Sequence, residues 1–328
     1  MKKILLFFFI LFVSELASIC QKVESITARD VAVAIYRKHN LVNDVQVSSV
    51  IPIGLKNDTL LYVVTFSEKG FVIVSGYRSA PPVLGQCFTD VYDTKRMPPG
   101  LLYLFEKYKY GISKLVENKI IPTKETEKKW DNILSPDFTS NKGYTVGTFL
   151  VKPEWGKYDM YESEEHPIFC TGIAMAQILH YYSCRVTGPT TYMWIRMNLY
   201  SEDEDNAWLI HDCCVACERP CCPGSSTPGR ARDAFVDDFG ISSSADVKWR
   251  ISHLFGWKGM LEDEIDLERP ILYSAGSLQP IEGHSWVIDG YNSQEQFHCN
   301  WGWDGNYNDF YSLGDFDPPG ELGPYNEV

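Results

Sequence analysis

Cys170 opens the run CTGIAMAQILHYY, and 114 residues later His284 sits in GHSWVIDGY, ahead of Asn300-Trp301-Gly302-Trp303. A protonated thiol is a weak nucleophile. Cysteine chemistry therefore needs a helix N-terminus and an imidazolium beside the sulfur to hold it as thiolate. Such a pair could attack a carbonyl, with the histidine moving the proton and an amide or indole holding the ring in place. The plainer alternative is that Cys170 is a small buried hydrophobe and His284 a satisfied core histidine.

The elements that would position these residues can be read from the pattern around them. Ile173, Ala174, Gln177, Ile178 and Tyr181 recur at helical spacing with good helix formers between them, which places Cys170 at the positive end of a helix. Trp286, Val287 and Ile288 are β-formers, Asn292 and Ser293 are turn residues, and a second run from Gln296 to Cys299 leads into Asn300. This is a hairpin pattern, with His284 on one strand and the Asn-Trp-Gly-Trp loop at the end of the next.

On these residues the chain resembles the streptopain family of papain-like cysteine peptidases. The resemblance is carried by Cys170 with Ala174-Met175-Ala176-Gln177, by Gly283-His284 before Val287-Ile288-Asp289-Gly290, and by Asn300-Trp301-Gly302-Trp303, sixteen residues after His284. Upstream, Phe71 to Ser75, Pro82-Val83-Leu84-Gly85 and Met97-Pro98-Pro99 look like the family's propeptide. The resemblance implies an α+β fold, with a small α+β prodomain ahead of a two-lobed papain-like domain built from a helical lobe and an antiparallel sheet lobe. It implies a cysteine endopeptidase made as a zymogen, without cofactor or metal, that acts on protein or peptide substrates and carries its prodomain as an intramolecular inhibitor. Cys170 and His284 would be catalytic and Asn300 or Trp301 would orient the imidazole, the indole by packing on the ring. Ser274, Gly283 and Trp303 would face substrate, while Asp289 would satisfy local backbone donors.

Two positions depart from the family pattern. Lys157 stands where a glutamine would donate to the oxyanion, and Phe169 where a glycine precedes the nucleophile. Loss of one oxyanion donor costs about 2.7–4 kcal/mol of transition-state stabilisation. The chain also reads Pro324 to Val328 where the family continues into a further apolar strand, an expectation of C-terminal truncation and an open sheet edge. The rival function is a catalytically impaired relative that binds or inhibits.

The chain has 328 residues, 45% hydrophobic and 14% aromatic, enough for about two domains with real cores. A net charge of -13 argues against nucleic acid or an anionic membrane surface as partner. Residues 1–20 read as an export signal, with Lys2 and Lys3 before the apolar stretch Ile4 to Val13, too short for a stable membrane span. The expected location is therefore secreted, cell-surface or periplasmic in a bacterium, with lipid attachment at Cys20 as the lesser alternative. A prodomain is expected over 24–120, a polar processing linker over 121–143 and the peptidase domain over 144–328.

Cys213, Cys214, Cys217, Cys221 and Cys222 crowd into ten residues with His211 beside them. Zinc sites usually draw on two short Cys pairs separated by a longer loop. A single segment is better read as disulfides or buried thiols, and export makes oxidation plausible.

Overall fold

The computed structural model describes residues 21–40, 42, 44–55, 58–138, 149–163, 165–183, 192–220, 222, 224–253, 256–278, 281–313 and 325–327. The export signal with Cys20, together with Cys184 and Cys221, lies outside these residues. The chain divides into two compact units. The first takes in residues up to Tyr92 and from Glu106 to Tyr144, and the second Asp93–Phe105, Thr145–Leu313 and Pro324–Val328.

In the first unit, helix α1 (Ser25–Asn40) buries Ala28, Val31, Ala32 and Ile35 and keeps Arg37, Lys38 and His39 at its negative end. It packs against the antiparallel strands β1 (Val47–Leu55), β2 (Asp58–Phe66), β3 (Phe71–Ser75) and β4 (Val83–Cys87), paired in sequence order. The β2–β3 hairpin turns at Gly70, whose φ of +95° only glycine adopts without strain. Helix α2 (Pro99–Glu117) covers the amphipathic pattern after Met97-Pro98.

The expected linker over 121–143 is corrected for its first part. Residues Lys124–Leu134 form helix α3, capped by the Thr123 side chain, which accepts from the Thr126 amide. Its polar composition is that of a solvated face, because Trp130 and Ile133 are buried in the core of this unit and the Trp130 indole donates to the Ala80 carbonyl at 2.9 Å. Residues 139–143 lie outside the described ones.

In the second unit, helix α4 (Cys170–Tyr181) is apolar on all sides, with residues 171–179 buried. It is wrapped by α5 (Glu204–Cys217), α6 (Pro228–Asp237) and a sheet. Helix α7 (Trp257–Asp266) precedes β5 (Ile271–Leu278), β6 (Ile281–Tyr291), β7 (Phe297–Asn300) and β8 (Asp309–Tyr311), all antiparallel. Where an open edge was expected after Pro324, β9 (Tyr325–Glu327) pairs with β5 through Ala275↔Glu327 and Gly276↔Asn326 and covers that part of it. Among the described residues no helix is long and apolar enough to cross a membrane.

The α4–α5 contact is close enough to reverse a propensity rule. A Cβ on Gly172 would lie 2.2 Å from the Cys214 sulfur and 2.9 Å from its backbone nitrogen. In an exposed helix Gly→Ala gains up to ~1 kcal/mol. Here Gly172→Ala is expected to lose about 1–3 kcal/mol through overpacking, read as a lower midpoint in thermal or urea unfolding.

Candidate active site

Cys170 is the first residue of α4, and its N-cap Phe169 makes no side-chain capping bond. The first-turn amides are thus left without a side-chain acceptor and point at the sulfur end of the helix. Phe169 has φ −144° and ψ 163°, extended backbone that any residue adopts, so the missing glycine imposes no strain. Its ring instead packs on the helical core.

His284 lies on β6 opposite Ala275 of β5. Its Nε2 is 3.2 Å from the Trp301 carbonyl, and since a carbonyl only accepts, Nε2 carries a proton and Nδ1 is left for the thiol. The Ser285 amide donates to the Cys170 sulfur at 3.4 Å. Burial pushes the Cys170 thiol up, but the hydrogen bond and charge of His284, with the Ser285 amide and Thr171, more than reverse this and bring it down to about 7. A sulfur at that value is substantially ionised near neutrality.

The layer beneath is a chain of hydroxyls: Thr171 Oγ1 lies 3.0 Å from Ser285 Oγ, which lies 2.8 Å from Ser274 Oγ. Ser274, expected to face substrate, is engaged with this pair. Asn300 is engaged elsewhere: its Nδ2 donates to the Pro153 carbonyl at 2.8 Å and its Oδ1 accepts from Gln177 Nε2 at 3.2 Å and from the Gly302 amide at 3.3 Å. Its amide therefore braces the strand end. Trp301 does hold His284, through its carbonyl, while its indole donates to the Tyr307 carbonyl at 2.9 Å. Gly283 is exposed, with the Ala275 carbonyl oxygen 3.6 Å from a Cβ built on it, and Trp303 is also exposed. Lys157 reaches Glu162 at 2.6 Å and is half exposed.

Asp289, expected to satisfy local backbone donors, instead reaches a distant one. Its carboxylate accepts from the Val151 amide at 3.0 Å and pairs with His298 Nδ1 at 2.6 Å. The sequence reading missed Ser285, Thr171 and the bracing role of Gln177, which also donates to the Trp155 carbonyl at 3.1 Å. Adjacency to Cys170 and His284 was the only signal for the first two. Cys213, Cys214 and Cys217 are free, buried thiols of the α4–α5 core, with Cys217 pushed up to about 12 by burial. Positions i, i+1 and i+4 put all three into the core, so the disulfide half of the expectation fails for them.

Comparison with known proteins decides what this arrangement belongs to. The peptidase C10 family profile matches residues 151–311, and that of the Spi protease inhibitor matches residues 21–112. The chain belongs to the peptidase C10 family. It is similar to streptopain of Streptococcus pyogenes, 23% identical over 305 residues that cover 79% of this chain and 75% of that protein. It is also similar to the thiol protease/hemagglutinin PrtT of Porphyromonas gingivalis, 27% identical over 82% of this chain but 35% of that longer protein. A prointerpain A fragment from Prevotella intermedia superposes with a TM-score of 0.61 at 19% identity, covering 85% of this chain and 98% of that one. The C10 chain thus has the α+β fold expected, a propeptide-like sheet region followed by a C10 catalytic domain.

Proposed function

We propose that this C10 chain is an exported cysteine endopeptidase made as a zymogen. The observation that carries the reading is the Cys170 sulfur at a helix N-terminus, lowered to about 7 by His284. The thiolate attacks the scissile carbonyl carbon, and the amides at the start of α4 stabilise the oxyanion. His284 gives its Nδ1 proton to the leaving amine, then takes one from water as the water attacks the thioester, which releases the acid and regenerates the pair. Trp301 fixes the ring through its carbonyl, and Asn300 acts one layer out, through the strand end. Export is supported by Lys2, Lys3 and the apolar run that follows. Hydrolysis of denatured casein, absent in Cys170→Ala, tests the reading.

The prosegment enters through residues 93–105, which fall inside the inhibitor-like match yet group with the catalytic unit. A Cβ on Gly100 would lie 2.7 Å from His284 Cδ2 and 2.8 Å from Trp301 Cζ3. The start of α2 therefore packs on the Trp301 ring and on the Cδ2 edge of the imidazole, the edge away from Nδ1. Gly100→Val cannot keep that contact, because both neighbours are ring atoms of buried residues. It is expected to speed labelling of Cys170 by a peptidyl electrophile in the uncleaved chain. An unchanged rate would show that this segment does not restrain the site.

A further inference from the structure

Three hydroxyls meet between α4 and the sheet, next to the reactive pair. Ser274 and Ser285 stand opposite each other on β5 and β6 with their oxygens 2.8 Å apart, and Thr171 Oγ1 closes on Ser285 from α4 at 3.0 Å. Thr171 and Ser285 are buried, and Ser274 is half-buried. Neighbouring strand residues point to opposite faces. Ser285 therefore faces α4, as does Val287, which packs against Ala174 and Ile178, while His284 faces away. Strand β6 thus carries the imidazole on one face and the hydroxyl on the other, and the Ser285 amide reaches the Cys170 sulfur at 3.4 Å.

The direction of this chain follows from the sulfur. Burial pushes the Cys170 thiol up, and His284, the Ser285 amide and a hydrogen bond from Thr171 bring it down. A thiolate only accepts, so Thr171 spends its one hydroxyl proton there. It then accepts from Ser285, and Ser285 from Ser274, because each hydroxyl has a single proton to give. When the sulfur is protonated that direction is no longer imposed, since S–H can donate as well. The aligned chain therefore belongs to the ionised form, and aligned donors strengthen one another where the dielectric is low. Of the titratable groups around the sulfur, His284 comes from β6 and Cys214 and Cys217 from α5. Burial pushes both α5 thiols up and keeps them neutral, so that side brings no charge to compete with the hydroxyls.

We propose that the hydroxyls of Ser274 and Ser285 act on the sulfur through Thr171, as positioning residues in a one-way donor chain that ends on the Cys170 thiolate. The same chain ties the first turn of α4 to β6, so it sets where the sulfur stands relative to the strand that carries His284.

The inference rests on the peptidase reading for its purpose, since the thiolate is the nucleophile there, but its test needs no substrate. Alkylation by iodoacetamide, read by mass at the Cys170 peptide, is followed against pH in the full chain and its variants. Thr171→Val keeps the shape and removes the hydroxyl. Its midpoint is expected near 8 instead of about 7, a fall of about fivefold in rate at pH 7, as loss of one hydrogen bond to a charged group would give. Thr171→Ser restores the donor and should titrate with the parent. Ser285→Ala leaves Thr171 in place and should move the midpoint the same way, lowering the rate at pH 7 by roughly twofold, with Ser274→Ala following by less. A bracing role alone would lower the unfolding midpoint and leave the titration where it was. An unmoved midpoint in Ser285→Ala would overturn the inference whatever Thr171→Val does, and Ser274→Ala, at the half-buried end, decides if Ser285→Ala fails to fold. Casein cleavage is scored separately: midpoints that move in a chain that cuts no peptide would sink the peptidase reading and leave the hydroxyl chain standing.

Discussion

Cys170→Ala is expected to lower hydrolysis of denatured casein or a quenched peptide by a factor on the order of 10^5–10^6, without changing the unfolding midpoint by more than a small core truncation would. Nucleophile and base act as one unit, so removing either forfeits the covalent route and leaves only binding and oxyanion stabilisation. The size of the loss discriminates between roles. A buried structural cysteine reduced to alanine alters stability and leaves turnover per folded molecule intact. Equal activity in both proteins would end the assignment of the nucleophile, and no activity in either would favour the impaired relative that the lysine at 157 first raised.

The second large effect concerns the imidazole. His284 supplies the two greatest influences that lower the Cys170 thiol, against burial that raises it. The sign follows from the ionised form being the nucleophile. The group is neutral below its pKa and reactive above it, so alkylation by iodoacetamide should rise as pH climbs through about 7. In His284→Ala burial is left less opposed and the value returns to the ordinary thiol range or above. At pH 7 the ionised fraction would then fall from near one half to ~3% or less, a loss of at least roughly 15-fold in alkylation rate. Rates equal in the two proteins would mean that the imidazole does not hold the thiolate.

Much of the site was legible because its chemistry sits on short periodic elements. The helix beginning at Cys170 shows in Ile173, Gln177, Ile178 and Tyr181, and the hairpin of β6 and β7 in its β-formers and turn residues. The likeness in the prosegment was equally readable, as the inhibitor-profile match over residues 21–112 bears out. Two readings differ from the structure for identifiable physical reasons. Helix α3 was hidden by its own solvated face, since Trp130 and Ile133 are its only buried residues. The orienting role was given to Asn300 or to the Trp301 indole by residue type, whereas the Asn300 amide is consumed by Pro153 and Gln177 and the Trp301 backbone carbonyl meets the imidazole. Backbone acceptors carry no sequence signal. The contact of Gly100 with His284 was out of reach for the same reason, because the absence of a side chain at one position says nothing of what stands opposite it.

The account turns on one equilibrium, ionisation of Cys170 beside His284, and the ultraviolet absorbance of its thiolate reads that equilibrium directly. Titrated as the difference between the parent chain and Cys170→Ala, the signal should appear with a midpoint near 7. A midpoint at 9 or above would contradict the account, because the sulfur would then be an ordinary buried thiol.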